Sequence, residues 1–180
     1  MQDIAFCADL YRYPTAQPYS ERALACLVWG LIYSNEAYLA GSGLRTPALY
    51  ESGVRWEAEK PTGRSACPDS IGQEKFLGIR QVLAQGFADC EDVASWRVAE
   101  LRMGRVPPVK GLPPFPGHPR AIALPMPYEL SPGGPNVLPA IFSRKTGPGM
   151  LTIHCLVAWP DGTLEDPSRV LGMGGARRYG

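Results

Sequence analysis

Three side chains in two distant segments have the types needed to activate a cysteine. The stretch GFADCEDVA, residues 86–94, contains Cys90, and the stretch IHCLVAW, residues 153–159, contains His154. Asp166 follows in the short stretch EDPS. A thiol, an imidazole and a carboxylate in this chain order are the parts of an activated cysteine nucleophile. The expected chemistry is attack on a carbonyl carbon, with Cys90 as nucleophile, His154 as base and Asp166 as the acid that orients the base.

The reactivity of Cys90 depends on how readily its thiol loses a proton. The pattern predicts that a helix begins here with Asp89 as N-cap, and a helix N-terminus favours the thiolate. The carboxylates of Asp89, Glu91 and Asp92 act in the opposite direction. We expect Asp89 and Asp92 to turn toward the helix N–H groups, so that Cys90 is the most reactive of the five cysteines below neutral pH.

An acyl-transfer site also needs hydrogen-bond donors for the oxyanion that forms during attack. The backbone N–H of Cys90, at the start of the helix, is a natural donor. Gln85 is the candidate for a side-chain donor because it precedes the cysteine by a few residues. The alternative for Gln85 is an exposed position at the end of a helix.

Three helices are expected to position these groups. The first covers residues 20–40 and the second covers residues 71–85, where Ser70 and Gln73 have capping-box spacing and Gly86 supplies a stop. The third runs from Asp89 to Gly104 and carries the cysteine. Its buried stripe is expected at Cys90, Val93, Ala94, Val98 and Leu101, with Glu91, Ser95 and Arg102 facing elsewhere.

A hairpin is expected to bring the base and the acid together. Residues 150–159 read as a strand, Pro160-Asp161-Gly162 as a turn, and residues 163–166 as the returning strand. If Trp159 pairs with Thr163, period-two alternation puts His154 and Asp166 on one face as diagonal neighbours, within reach of a hydrogen bond. A one-residue bulge would separate them.

The chain reads as a single α+β domain over residues 1–180, with a Pro/Gly-rich insertion at about 105–149. Two apolar stretches inside it, residues 121–124 and 137–142, are suited to edge or barrel strands. The insertion forms either a wall of the substrate cleft or a rigid connector. Its apolar content leads us to expect that residues 107–149 face a partner or the substrate.

Composition excludes several function classes. With 180 residues and a formal net charge of +1, the chain has no basic surface of the kind that nucleic-acid binding requires. The longest apolar run, residues 23–33, is too short to span a membrane, and no secretory leader is evident. We therefore expect a soluble protein of the cytoplasm that contacts neither nucleic acid nor membrane.

The five cysteines predict free thiols and no metal or other cofactor. They are odd in number and form no CxxC pair, which favours a reducing compartment. A zinc site of Cys67, Cys90, His154 and Cys155 is conceivable. However, His154 and Cys155 are adjacent on a strand and point to opposite faces, so they cannot easily share one metal ion.

The two segments resemble the transglutaminase-like branch of the papain-like cysteine enzymes. In that branch a G-x-x-D/G-C-x-D-x-A helix start carries the nucleophile, an H-x-x-V-x-W strand the base, and a D-P-T/S turn the acid. The resemblance covers about residues 79–104 and 150–170. Together with TPALYESGV, residues 46–54, it looks like that of small members encoded among bacteriophage structural genes.

This resemblance implies a papain-like fold in which the cysteine helix packs on an antiparallel sheet that bears the histidine and the aspartate. It also implies a thiol-dependent amide hydrolase or acyltransferase with the triad Cys90, His154 and Asp166, acting on protein or peptide. The setting would be the host-cell cytoplasm or the virion, with other phage structural proteins as partners of residues 107–149. The alternative is a phage structural or assembly protein that uses an enzyme-like fold as a binding module.

Overall fold

The fold is mixed α+β in a computed structural model that describes residues 5–9, 21–58, 73–105, 122–123, 137–147 and 150–175. Most of the segment expected to face a partner, together with Cys67, lies outside these residues. The helices are α1 (Glu21–Ser42), α2 (Ile79–Gln85), α3 (Cys90–Arg102) and α4 (Pro167–Val170). The strands are β1 (Ala5–Asp9), β2 (Arg55–Trp56), β3 (Gln73–Leu77), β4 (Phe87–Ala88), β5 (Ile122–Ala123), β6 (Leu138–Gly147), β7 (Met150–Ala158) and β8 (Leu164–Glu165).

The main sheet is antiparallel, with the strand order β5-β6-β7-β8. Strands β6 and β7 pair along most of their length, from Leu138 opposite Ala158 to Gly147 opposite Met150. The two apolar stretches predicted to be strands inside the insertion are confirmed as β5 and β6. Because β6 is the neighbour of β7, this end of the predicted insertion is part of the sheet itself.

The predicted hairpin register is confirmed at the end of β7. Val157 pairs with Glu165 and Ala158 with Leu164, and the Trp159 backbone N–H donates to the Thr163 carbonyl at 2.9 Å. Gly162 adopts a positive φ of 83°, which a side-chain-bearing residue would rarely accept. The short turn therefore sets which residues of β7 and β8 share a face.

Helix α3 lies in the interior and packs against α1 and against strand β7. All of its residues from Glu91 to Arg102 are buried, so the prediction of a single buried stripe was wrong. A helix between two layers has no face toward water, and its polar side chains must find partners inside the protein. Arg102 does so with Glu36 of α1, at 2.6 Å from Nε to Oε1, while its guanidinium lies 5.2 Å from the centre of the Trp29 ring.

The second predicted helix was wrong in its first half. Residues 73–77 form strand β3, which pairs antiparallel with β1, and α2 begins only at Ile79. Strand β1 thus supplies a pairing partner whose backbone hydrogen bonds outweigh the local capping-box spacing. The predicted stop at Gly86 is confirmed, since this residue ends α2 in the left-handed conformation with φ of 78°.

The first helix is confirmed over nearly the predicted range, and its buried residues face α3 and the core. They include Val28, Leu31 and Ile32, all with no exposed surface. Although α1 is 22 residues long, neither it nor any other helix in the described ranges is long and apolar enough to cross a membrane.

A buried ion pair connects α3 to strand β8. The Arg97 Nε donates to Glu165 Oε1 at 2.6 Å, and both side chains are almost fully shielded from water. The same carboxylate oxygen accepts the Tyr50 hydroxyl at 2.5 Å, and the Arg97 guanidinium stacks 4.9 Å from the Tyr50 ring centre. Burial, followed by the Glu165 charge, raises the pKa of Tyr50, so the hydroxyl keeps its proton and remains a donor.

Glu100, one turn after Arg97, completes this network. Its Oε1 accepts from the backbone N–H of Leu49 at 2.8 Å and from the Trp96 indole at 2.7 Å. Burial raises the pKa of Glu100 to about 7, against the smaller opposing effects of Leu49 and Arg97. The segment before β2 is therefore attached to α3 through a carboxyl group that titrates near neutrality.

Replacing Arg97 with alanine should destabilise the protein by about 3–5 kcal/mol, because the Glu165 charge would remain buried without its cation. Arg45→Ala is the matched control: Arg45 is exposed and its loss should change the free energy of unfolding by no more than about 0.5 kcal/mol. Urea unfolding followed by circular dichroism measures both. Equal, small losses in the two variants would show that the ion pair does not hold α3 to the sheet.

Glu100→Gln should make stability less dependent on pH between about 4.5 and 7. The folded protein raises the pKa of this carboxyl above its value of 4.5 in the unfolded chain, so its stabilising effect is complete below that value and is lost as pH rises through about 7. The glutamine Oε1 can still accept from Leu49 and Trp96. In wild type, stability should fall across this window relative to the variant by up to about 1.4 kcal/mol per pH unit. Parallel stability curves for the two proteins would contradict the raised pKa.

Candidate active site

Two short backbone pairings fix the chain just before Cys90. Strand β4 runs parallel to β2, with Trp56 opposite Ala88. The backbone N–H groups of Arg55 and Glu57 donate to the carbonyls of Gly86 and Ala88 at 3.1 and 2.9 Å. With Ala88 held and buried, the chain enters α3 at a defined angle and Cys90 becomes its first residue. As the first residue of the helix, it places its backbone N–H at the helix N-terminus, the position expected for the oxyanion donor.

The acidic residues around the cysteine take different positions from those predicted. Asp89 is the N-cap residue by position, but its side chain makes no capping hydrogen bond. The Asp92 Oδ1 accepts from the backbone N–H of Leu77 in β3 at 2.6 Å. Strand β3, which the sequence did not predict, therefore binds one of the two carboxylates that were expected to turn toward the α3 N–H groups.

The base and the acid of the predicted triad are in direct contact. His154 Nε2 lies 2.9 Å from Asp166 Oδ2, with side-chain exposures of 13% and 5%. This follows from the hairpin register, which places His154 of β7 and Asp166, the residue after β8, on the same face of the hairpin. An Asp166 carboxylate that accepts from Nε2–H selects the imidazole tautomer in which Nδ1 is the basic nitrogen.

Asp166 has a second structural role that fixes its orientation. It is the N-cap of α4, and its Oδ1 accepts from the backbone N–H of Arg169 at 3.2 Å. Pro167 occupies the first position of that helix, where its fixed φ and missing N–H are favourable. One carboxylate oxygen thus begins a helix while the other holds the imidazole.

Cys90 contacts the strand that carries His154 through the next residue, Cys155. The Sγ atoms of Cys90 and Cys155 and a carboxylate oxygen of Glu91 all lie within 4.8 Å of one another. The Cys90 thiol donates to Glu91 Oε2 at 3.2 Å. Consecutive strand residues project to opposite faces, so the Cys155 contact brings the thiol to the strand of the base without itself joining the thiol to the imidazole.

The surroundings of Cys90 disfavour its thiolate. A hydrogen bond with Cys155 raises the pKa of the Cys90 thiol well above its ordinary value, and burial and the charge of Asp89 act in the same direction. This direction of the pKa is opposite to the one expected at a helix N-terminus, and the order of reactivity among the five cysteines stays a prediction. The helix N-terminus by itself favours an activated thiol. Here the Cys155 thiol and the Asp89 carboxylate, which makes no capping bond, have the larger effect on the pKa of Cys90.

The side-chain oxyanion candidate lies at the end of its helix. Gln85 Nε2 donates to the Phe87 carbonyl at 2.7 Å in an exposed position. This bond closes the turn between α2 and β4. Gln85 therefore occupies the exposed position at a helix end that was the alternative to an oxyanion donor.

Sequence reasoning missed the residues that support the acid. Glu165 precedes Asp166 and, as its strand neighbour, turns to the opposite side, where it binds Arg97 and the Trp159 indole at 3.2 Å. Two adjacent acids with opposite orientations on a returning strand are a signal that one of them has a buried cation. Helical periodicity predicts which side of α3 a residue such as Arg97 lies on, but it does not identify its partner.

Removing the neighbouring thiol should make Cys90 more reactive at lower pH. In Cys155→Ala the largest cause of the raised pKa is gone, so the thiolate fraction of Cys90 should rise at every pH below its wild-type pKa. The pH dependence of iodoacetamide labelling, mapped by mass spectrometry, measures this, with the exposed Cys26 as internal control. An unchanged Cys90 profile would show that Cys155 does not set its acidity.

Comparison with protein-family models, curated proteins and solved structures found no match to this chain. A functional assignment is therefore argued from the residues and geometry of the site itself.

Proposed function

We propose that the protein is a thiol-dependent amide hydrolase or acyltransferase in which Cys90 is the nucleophile, His154 the base and Asp166 the orienting acid. The observation that carries the proposal is the 2.9 Å contact between His154 and Asp166. It occurs on the strand against which the Cys90 helix packs. A helix with an N-terminal cysteine packed on an antiparallel sheet with a His–Asp pair is the arrangement that the papain-like resemblance implies.

The proposed reaction begins with attack of Cys90 Sγ on a carbonyl carbon, while the thiol proton passes to Nδ1 of His154. Asp166 holds Nε2–H and stabilises the imidazolium that forms. The backbone N–H of Cys90 donates to the developing oxyanion. The imidazolium then gives its proton to the leaving amine, and a thioester remains on Cys90.

The fate of the thioester decides between hydrolysis and transfer. Water attacking the thioester releases a carboxylic acid, and a primary amine attacking it forms a new amide; in both cases His154 takes the proton of the attacking group. The proposed substrates are proteins or peptides in a bacteriophage assembly or virion setting, as the resemblance of the motifs suggests.

The raised pKa of the Cys90 thiol favours a second candidate function. A thiol that stays protonated at neutral pH is a poor nucleophile unless substrate binding brings the base to it. The raised pKa is consistent with a phage structural or assembly protein that uses the fold as a binding module and does not turn over a substrate. The two functions differ in whether Cys90 can be acylated.

Asp166→Asn should slow acylation of Cys90 by about 10²-fold or more, because an amide can neither stabilise the imidazolium nor fix its tautomer. Asparagine is a good N-cap, so α4 should still begin at this residue and the melting temperature should change little. The assay is the burst of nitrophenol released from p-nitrophenyl acetate, with the acetyl group located by mass spectrometry.

Asp161→Asn is the matched control, since Asp161 lies in the exposed turn of the same hairpin, and its burst rate should equal that of wild type. Acetylation of Cys26 in place of Cys90, or an equal rate in the Asp166 and Asp161 variants, would exclude the triad. A wild-type protein with no burst would favour the binding module.

A further inference from the structure

The Cys90 thiol lies close to two other side chains that can bind a metal ion, one from helix α3 and one from strand β7. Cys90 and Glu91 are the first two residues of α3, and Cys155 lies on β7. Cys155 and Glu91 are buried, and Cys90 is partly so. We propose that Cys90, Cys155 and Glu91 form a binding site for a thiophilic divalent cation of the Zn²⁺ class.

The distances suit two thiolates and a carboxylate on one ion. In tetrahedral zinc coordination, bond lengths of about 2.3 Å to sulfur and about 2.1 Å to oxygen separate two sulfur ligands by about 3.8 Å, and a sulfur from an oxygen by about 3.6 Å. Cys90 Sγ and Glu91 Oε2 are already 3.2 Å apart. Because all three ligand atoms lie within 4.8 Å of one another, a movement of about 1 Å closes the set around an ion.

The chemistry of the set favours a soft borderline cation over Mg²⁺ or Ca²⁺. Two thiolates select zinc-like ions, whereas magnesium and calcium take oxygen ligands. The ion would displace the two thiol protons and offset the negative charge that the three groups carry when deprotonated. Three protein ligands leave the fourth coordination position open to water.

The ligand set differs from the zinc site considered from sequence. That site combined Cys67, Cys90, His154 and Cys155. It required His154 and Cys155 to share one ion, although adjacent strand residues point to opposite faces. Here Glu91 stands in place of His154, and His154 remains with Asp166. The site shares Cys90 with the proposed catalysis, and an ion on Cys90 would prevent its acylation.

Titration of the reduced full-length protein with Co²⁺ tests the site, because cobalt bound to thiolates gives a thiolate-to-metal absorption band. Wild type should saturate at one equivalent. Cys155→Ala should abolish the band, and Glu91→Gln should weaken binding by about tenfold or more. Cys26→Ser, which removes an exposed thiol on α1, should leave the titration unchanged.

A second measurement uses wild type alone and so does not depend on the folding of any variant. Zn²⁺ added to wild type should protect both Cys90 and Cys155 from iodoacetamide, while Cys26 continues to react. The proposal is overturned if cobalt produces no thiolate band, if the band survives in Cys155→Ala, or if zinc protects a different pair of cysteines. Metal binding combined with no acylation of the chelator-treated, metal-free protein would refute the proposed catalysis alone, and acylation without metal binding would refute this site alone.

Discussion

The buried pairing of Arg97 with Glu165 is the constraint on which the arrangement of the site depends. It connects the helix that begins at Cys90 to the strand that ends one residue before Asp166. An unpaired charge at either position would cost several kcal/mol in the interior. The helix and the returning strand are thereby held in one relative position, and the N-terminus of α3 meets β7 at Cys155. Tyr50 donates to the same carboxylate and extends this constraint to the segment before β2.

The contacts that position the Cys90 thiol are also the ones that oppose its ionisation. Cys155 and Glu91 fill the space around the sulfur with groups that are neutral donors or anions, and burial removes the water that would solvate a thiolate. The proposed triad therefore combines a well-formed base–acid pair with a nucleophile held in its thiol form. In the proposed catalysis, substrate binding must transfer the thiol from the Cys155 contact to the imidazole. In the proposed metal site, the positive charge of the cation compensates the negative charge of the thiolates.

The local parts of the site could be predicted from sequence, because they depend on short-range rules. A three-residue turn and period-two alternation were enough to place His154 against Asp166, and Gly86 was enough to end the helix before Cys90. The surroundings of the thiol could not be predicted in this way. They depend on the packing of α3 against β7, which brings Cys155 to the thiol across a long sequence separation, and on the burial of α3 on all sides. Periodicity identifies one apolar face of a helix but not the partner of a buried Arg97.

The central claim is that Asp166 acts on Cys90 through His154, and a double-mutant cycle on the acylation burst tests it most directly. The Asp166→Asn change is compared in wild type and in a His154→Ala background. Residues that act as a unit are strongly non-additive, so the account predicts a large loss in wild type and almost none once the imidazole is absent. Equal losses in the two backgrounds would show that Asp166 supports the fold alone, and that the contact between His154 and Asp166 takes no part in activating the thiol.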